Sequence, residues 1–91
     1  MTQLTVQVTN RLGLHARAAA KLVRLASRFA SEIHLSPEGE HRRIDSKSIL
    51  GILMLAASTG TRLVVSIRGQ DEAEAGRAIQ QLFQEKFGEL E

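Results

Sequence analysis

The 91-residue sequence contains no cysteine, so neither a disulfide framework nor a thiolate-held metal can stabilise the fold, and apolar packing must do so. Tryptophan and tyrosine are also absent, and the only aromatics are Phe29, Phe83 and Phe87. That removes the stacking platform on which single-strand and RRM-like binders depend, and nucleic acid is not an expected partner. A pI near 9.7 overstates the basicity. Twelve Lys and Arg against ten Asp and Glu leave a formal charge of only +2 at pH 7, with no Cys or Tyr to titrate between His and Lys. Long apolar runs are missing: the longest stretch free of polar side chains, Ile49 to Ala57, falls far short of the roughly 18 residues of a membrane span. The N-terminus MTQLTVQV lacks a basic region followed by an apolar one, so the expected location is the cytoplasm, without membrane insertion. What is present, 43% hydrophobic and 24% charged residues, describes one soluble globular domain spanning residues 1–91.

The apolar pattern changes period along the chain. Leu4, Val6 and Val8 alternate with polar neighbours, the signature of a strand buried on one face, which ends at Asn10. After Gly13 the spacing shifts: Ala19, Leu22, Val23, Ala26, Phe29 and Ala30 predict an amphipathic helix of about four turns from Ala16. Ile33 and Leu35 mark a second strand, Pro37, Glu38 and Gly39 a turn, and His41 to Asp45 a weaker third strand completing a hairpin. Asp45, Ser46 and Ser48 offer capping side chains ahead of a short helix, Ile49 to Leu55. Leu63, Val65 and Ile67 give a fourth strand; Asp71 with Glu74 has capping-box spacing before a last helix carrying Ala75, Ala78, Ile79, Leu82 and Phe83. The order β-α-β-β-α-β-α predicts an α/β (α+β) sandwich: one four-stranded sheet with its helices on a single face.

Catalytic motifs are scarce. There is no GxGxxG, GKS or GKT, and His15, His34 and His41 follow no metal-ligand spacing within a helix, so no metal and no cofactor are expected. The acidic residues at Asp71 to Glu74 and in the last seven positions read as caps and a solvated tail. One compact constellation remains, GLHARAAA from Gly13 to Ala20. His15 stands at the start of the first helix, beside the free N–H groups of Ala16, Arg17 and Ala18, where the helix dipole favours an anion and disfavours a cation. Arg17 can add a charge-assisted contact, and Leu14 can pack back on Ala18 or Ala19 as a hydrophobic staple. Two readings stay open on the residues alone. His15 can be a helix-start residue bonded to backbone with Arg17 solvated, or a histidine that takes up a phosphoryl group and passes it on from a shallow, exposed site.

Three segments carry a resemblance: TNRLGLHARAAAKLV around His15, SKSILGILMLAASTGT, and VSIRGQDEAEA. Over essentially its whole length the chain resembles the HPr family, the histidine-containing phosphocarriers of the bacterial phosphotransferase system. The resemblance implies an open-faced β-sandwich of four antiparallel strands under three helices. It also implies that His15 accepts a phosphoryl group on Nδ1 from enzyme I and delivers it to IIA proteins, with Arg17 assisting. Such a protein is a carrier and not an enzyme with its own turnover. The family usually has proline after that arginine, where this chain has Ala18, which restores an N–H donor near the phosphate. The nitrogen-related carrier NPr fits the same motifs, and a regulatory binding module that no longer carries phosphate is a further alternative.

Aligned with the family's SIMG, the SILG segment makes Ser48, less readily Ser46, the counterpart of a serine that HPr kinase/phosphorylase modifies in some members; the same Ser48 can simply cap the short helix. Ile52 and Leu55 are expected in the core. Leu14, Ile49, Leu50 and Leu53, with Lys21 and Arg24 from the basic row Arg17, Lys21, Arg24 and Arg28, are the expected docking residues of a monomer.

Overall fold

The computed structural model describes all 91 residues. Strands β1 (Thr2–Gln7), β2 (Glu32–Pro37), β3 (Ile44–Asp45) and β4 (Arg62–Arg68) alternate with helices α1 (Ala16–Ala26), α2 (Ile49–Leu55) and α3 (Glu72–Gln84), and a 3₁₀ turn, Lys86–Gly88, follows. The four strands form one sheet in the order β1-β4-β2-β3, antiparallel throughout. Alternation explains the layering. Val6, Ile33, Leu35, Leu63, Val65 and Ile67 point to the helical side and are buried, whereas Gln3, Thr5, His34, Ser36, Ser66 and Arg68 lie on the uncovered side. Against that inner face pack Leu22 and Ala26 of α1, Ile52 and Leu55 of α2, and Ile79 and Phe83 of α3. The fold is the expected open-faced sandwich.

Three local expectations are corrected. Helix α1 stops at Ala26 instead of Ala30: Arg28 and Phe29 donate to Leu25 and Ala26, tightening the end into an i to i+3 turn. Strand β3 is only Ile44–Asp45, because beyond the pairs His34↔Asp45 and Leu35↔Ile44 the chain leaves the ladder. The capping box at α3 does not form. Asp71 makes no cap bond; its carboxylate instead accepts from the N–H groups of Ala30 and Ser31 and from the Ser31 hydroxyl, fixing the turn that follows α1. Glu72 accepts from the Gly69 N–H at 3.0 Å.

The 3₁₀ turn has no strong sequence signal. Lys86, Phe87 and Gly88 all have positive φ (55°, 58° and 80°), a left-handed stretch that costs roughly 1–2 kcal/mol for each non-glycine residue. It turns the Phe87 ring into the core, where it meets Phe83 edge-on at a centroid distance of 4.9 Å. Burying a phenylalanine is worth about 1.5–3 kcal/mol, and an aromatic pair adds about 0.5–1.5, so packing offsets the strain. The consequence is positional: the residues after Gly88 are laid against the loop that precedes α1.

Candidate functional site

Strand β1 runs into a tight loop, Asn10 to Leu14, which delivers His15 to the N-cap of α1. Gly13 makes the turn at φ +70°, and a Cβ there would stand 2.6 Å from the Ala57 carbonyl oxygen, so no larger residue fits. The Leu14 N–H donates to that same carbonyl at 2.9 Å, tying the loop to the end of α2. His15 is extended (φ −75°, ψ −179°), and its ring folds over the helix start so that Nδ1 accepts from the Arg17 N–H at 3.3 Å. The imidazole thus does what a Ser or Asp side chain does at other helix starts.

The other ring nitrogen has a partner 74 residues away in sequence. Nε2 lies 2.6 Å from a carboxylate oxygen of Glu89. The second Glu89 oxygen accepts from Asn10 Nδ2 at 3.0 Å, and the same amide nitrogen holds the Gly13 carbonyl at 2.8 Å. Asn10 is wholly buried. Below this cluster Lys21 Nζ donates to the Phe87 carbonyl, and Glu91 pairs with Arg11. Complementarity selects the tautomer: Nδ1 faces a donor and Nε2 an acceptor, so the proton sits on Nε2 and Nδ1 is unprotonated, its lone pair accepting only the Arg17 N–H. His15 keeps 27% of its side chain exposed, enough for Nδ1 chemistry at the surface and too open for an enclosed substrate pocket.

Glu89 experiences opposed effects. Burial pushes its carboxyl up, but hydrogen bonds from Asn10 and His15, with the charges of His15 and Lys21, outweigh that and hold it below the usual carboxylate value. Asp71 is likewise lowered, chiefly by the Ser31 hydroxyl and then the Ala30 N–H, and Glu72 by the Gly69 N–H and then the chain's N-terminal ammonium. A carboxylate whose pKa is lower folded than unfolded contributes stability above its unfolded value of roughly 3.9–4.3, and that contribution is lost as pH falls through the folded value. Thermal melts are therefore expected to show little carboxylate-linked change from pH 7 to 5 and a progressive fall in Tm below about pH 4; Asp71→Asn and Glu89→Gln should each flatten that acid limb.

The remaining expected residues separate into two groups. Ala16 and Arg17 are exposed at the first turn of α1, and the Arg17 guanidinium makes no ion pair. Ala18 is buried, so its side chain belongs to the core while its N–H stays in the first turn. Ser48 caps α2, accepting from the Gly51 N–H at 3.1 Å. Ile49, Leu50 and Leu53 are exposed and Ile52 and Leu55 buried, the split expected from sequence; Met54 at 70% and Leu12 at 62% widen the exposed apolar surface. Two residues are corrected. Leu14 is only 4% exposed and cannot dock a partner, and Ser46 is fully buried with its hydroxyl given to the Ile33 carbonyl, so it neither caps α2 nor offers an oxygen at the surface. The acidic tail is corrected as well: Glu89, taken from sequence as part of a solvated end, is the partner of His15.

The family model described as the PTS HPr component phosphorylation site matches residues 2–85. A phosphocarrier protein HPr of Xylella fastidiosa is 48% identical over 89 residues, 98% of each chain. The crystal structure of HPr from Thermoanaerobacter tengcongensis superposes with a TM-score of 0.92 at 40% identity, covering 98% of both chains. A second structure from that organism, described as an HPr dimer, gives a TM-score of 0.76 at 40% identity, covering 98% of this chain and 100% of the other.

Proposed function

The chain belongs to the HPr family of phosphocarrier proteins of the phosphotransferase system, and on that premise we propose that His15 Nδ1 accepts a phosphoryl group from enzyme I and passes it to IIA proteins. The observation that carries this reading is the pair of contacts on the His15 ring: an unprotonated Nδ1 at a helix N-terminus, with Nε2 held by a carboxylate. The lone pair of Nδ1 attacks phosphorus in line with the donor's leaving group, so the P–N bond to His15 forms as the donor's bond to phosphorus breaks and its electron pair returns to the donor. The transferred oxygens arrive where the N–H groups of Ala16, Arg17 and Ala18 lack intrahelical acceptors. The Arg17 N–H, released from Nδ1, turns to a phosphoryl oxygen, and the unpaired guanidinium supplies a charge-assisted contact. Each exposed contact of this kind with the helix end is worth about 0.3–1 kcal/mol, so the group is held loosely enough to leave. The partner supplies the walls of the site.

Docking falls to the surface around His15. Ile49, Leu50, Leu53 and Met54 give an apolar patch on α2, and the unpaired cations Arg17 and Arg24 lie on α1 with Arg28 in the turn after it, a combination that suits an acidic partner with an apolar centre. Lys21 contributes less, since its ammonium is engaged by Phe87. The carrier works in the cytoplasm; no helix is long and apolar enough to cross a membrane. It transfers as a monomer, although a related HPr is known as a dimer. Ser48 is the site for HPr kinase/phosphorylase: a dianion there would lie next to the apolar docking residues and repel acidic partners. With such a kinase and ATP, Ser48→Ala is expected to lose the acid-stable phosphate; an undiminished adduct removes Ser48.

Incubation with phosphoenolpyruvate and a cognate enzyme I, read by intact mass, tests the function. One phosphoryl group, stable to base and lost in acid, is expected; an acid-stable adduct contradicts the reading. Arg17→Ala should slow this uptake roughly 10- to 100-fold, the loss of one charged hydrogen bond of about 1.5–3 kcal/mol, with an unchanged far-UV spectrum. Unaltered rates would take Arg17 out of the site.

A further inference from the structure

We infer that Glu89 is a positioning residue that holds a proton on His15 Nε2 throughout the phosphoryl cycle and thereby makes the phosphorylated form a good donor; this rests on His15 being the acceptor.

Glu89 is held in place, not merely nearby. Its backbone follows the left-handed turn anchored by the buried Phe87 ring, and Lys21 pins the Phe87 carbonyl. One carboxylate oxygen is fixed by the buried Asn10, and the same Asn10 amide holds the loop carrying His15, so ring and carboxylate share one buttress. The other oxygen meets Nε2 at 2.6 Å, a charge-assisted distance, with the Glu89 side chain only 16% exposed. A tail acting only as a cover would need neither the shared buttress nor a carboxylate aimed at a ring nitrogen.

The chemistry follows from where the proton is. Before transfer the ring is neutral, with hydrogen on Nε2 and the lone pair on Nδ1. When that lone pair forms the N–P bond, no proton has to move: Nε2 keeps its hydrogen and the ring becomes a phosphorylated imidazolium. Its positive charge forms directly against the Glu89 carboxylate, which favours it. On delivery the N–P electrons return to Nδ1 and a neutral imidazole leaves. Had the phosphorylated ring lost its Nε2 proton, the leaving group would be an imidazolate, a far poorer one. Glu89 therefore keeps the carrier in the protonation state from which the phosphoryl group departs, while the first turn of α1 holds the phosphoryl oxygens. The other charges around the ring are Arg17 and Lys21 on α1, with Arg11 and Glu91 paired to each other at the loop, and none of these touches Nε2.

The test uses the full chain, phosphorylated chemically with phosphoramidate so that no partner protein enters. Glu89→Gln keeps size and an acceptor oxygen but removes the charge. The phosphorylated variant is expected to lose its phosphoryl group about 3- to 10-fold more slowly than wild type near pH 8, and the rates should converge at low pH, where both rings are protonated. A purely structural tail predicts the opposite sign, since loosening it exposes the N–P bond and speeds hydrolysis. An equal or faster rate in Glu89→Gln overturns the proposal. Independently of any variant, imidazole ¹⁵N shifts of the unphosphorylated wild type should show the hydrogen on Nε2, and hydrogen on Nδ1 overturns it. A wild type that takes no phosphoryl group on His15 rejects the carrier reading itself, whereas phosphorylated His15 with unaltered Glu89→Gln kinetics rejects only the role of Glu89.

Discussion

His15→Ala is expected to abolish the acid-labile phosphoryl adduct completely while leaving a folded protein. Loss of more than about 1,000-fold in uptake is expected, because no other side chain combines the two requirements. His34 lies on the uncovered face of the sheet with its Nδ1 at 3.2 Å from the Arg43 guanidinium, and His41 sits on the exposed turn before β3. Neither stands at a helix start with a carboxylate behind it. The stability change should be modest: an N-cap bond is worth about 1 kcal/mol, and the Nε2–Glu89 contact goes with it. A Tm lower by roughly 4–15 °C is compatible with that. Intact-mass measurement after incubation with phosphoenolpyruvate and enzyme I reads the main effect, and retention of a base-stable, acid-labile adduct in the variant would place the chemistry elsewhere.

The second large effect is on stability and comes from the far end of the chain. Phe87→Ala should destabilise the fold by about 3–5 kcal/mol, a large share of the roughly 5–15 kcal/mol typical of a whole domain. Phe87 is 1% exposed and forms the aromatic pair with Phe83. Without the ring nothing compensates the left-handed backbone at Lys86 and Phe87, so the turn should open and carry Glu89 away from His15. Two readouts follow: a Tm lower by more than about 12 °C, and loss of the Nε2–H preference of His15 in the surviving folded population. A small shift, within a few degrees, would show the C-terminal turn to be an ornament of the fold.

Much of the architecture was legible because it is local. Leu63, Val65 and Ile67 alternate for the simple reason that one face of β4 is buried and the other is not. GLHARAAA marks the candidate site because a helix start, an imidazole and an arginine two residues on are all local features, although on the residues alone a plain helix-start histidine fits them as well. Ser48 was legible as a cap for the same reason. What escaped the sequence depends on contacts between distant segments. The end of α1 is set by Asp71, about 40 residues on, which takes the N–H groups of Ala30 and Ser31 that a continuing helix would have used. That same engagement is why the capping box at α3 fails. Leu14 resembles an exposed neighbour of His15 until the loop is tied to Ala57 and its side chain turns inward. Ser46 stands two residues before Ser48, yet it is buried and its hydroxyl donates to the Ile33 carbonyl of β2. Glu89 is the clearest case: an acid near a chain end usually is solvated, and only the left-handed turn at Lys86 and Phe87, which has no strong sequence signal, brings the tail back to His15.

The distribution of chemistry matches the size of the molecule. The site consists of a ring at the surface whose two nitrogens are treated differently. Arg17, Lys21 and Arg24 lie on α1, while the carboxylate nearest the site, Glu89, is turned to the ring.

The central claim, transfer through His15 Nδ1, is tested most directly by ¹⁵N and ³¹P NMR of the phosphorylated, ¹⁵N-labelled chain. The account predicts one phosphorus resonance coupled to Nδ1 of His15, with Nε2 still carrying its hydrogen. Phosphorus coupled to Nε2, or to no histidine nitrogen at all, would contradict it.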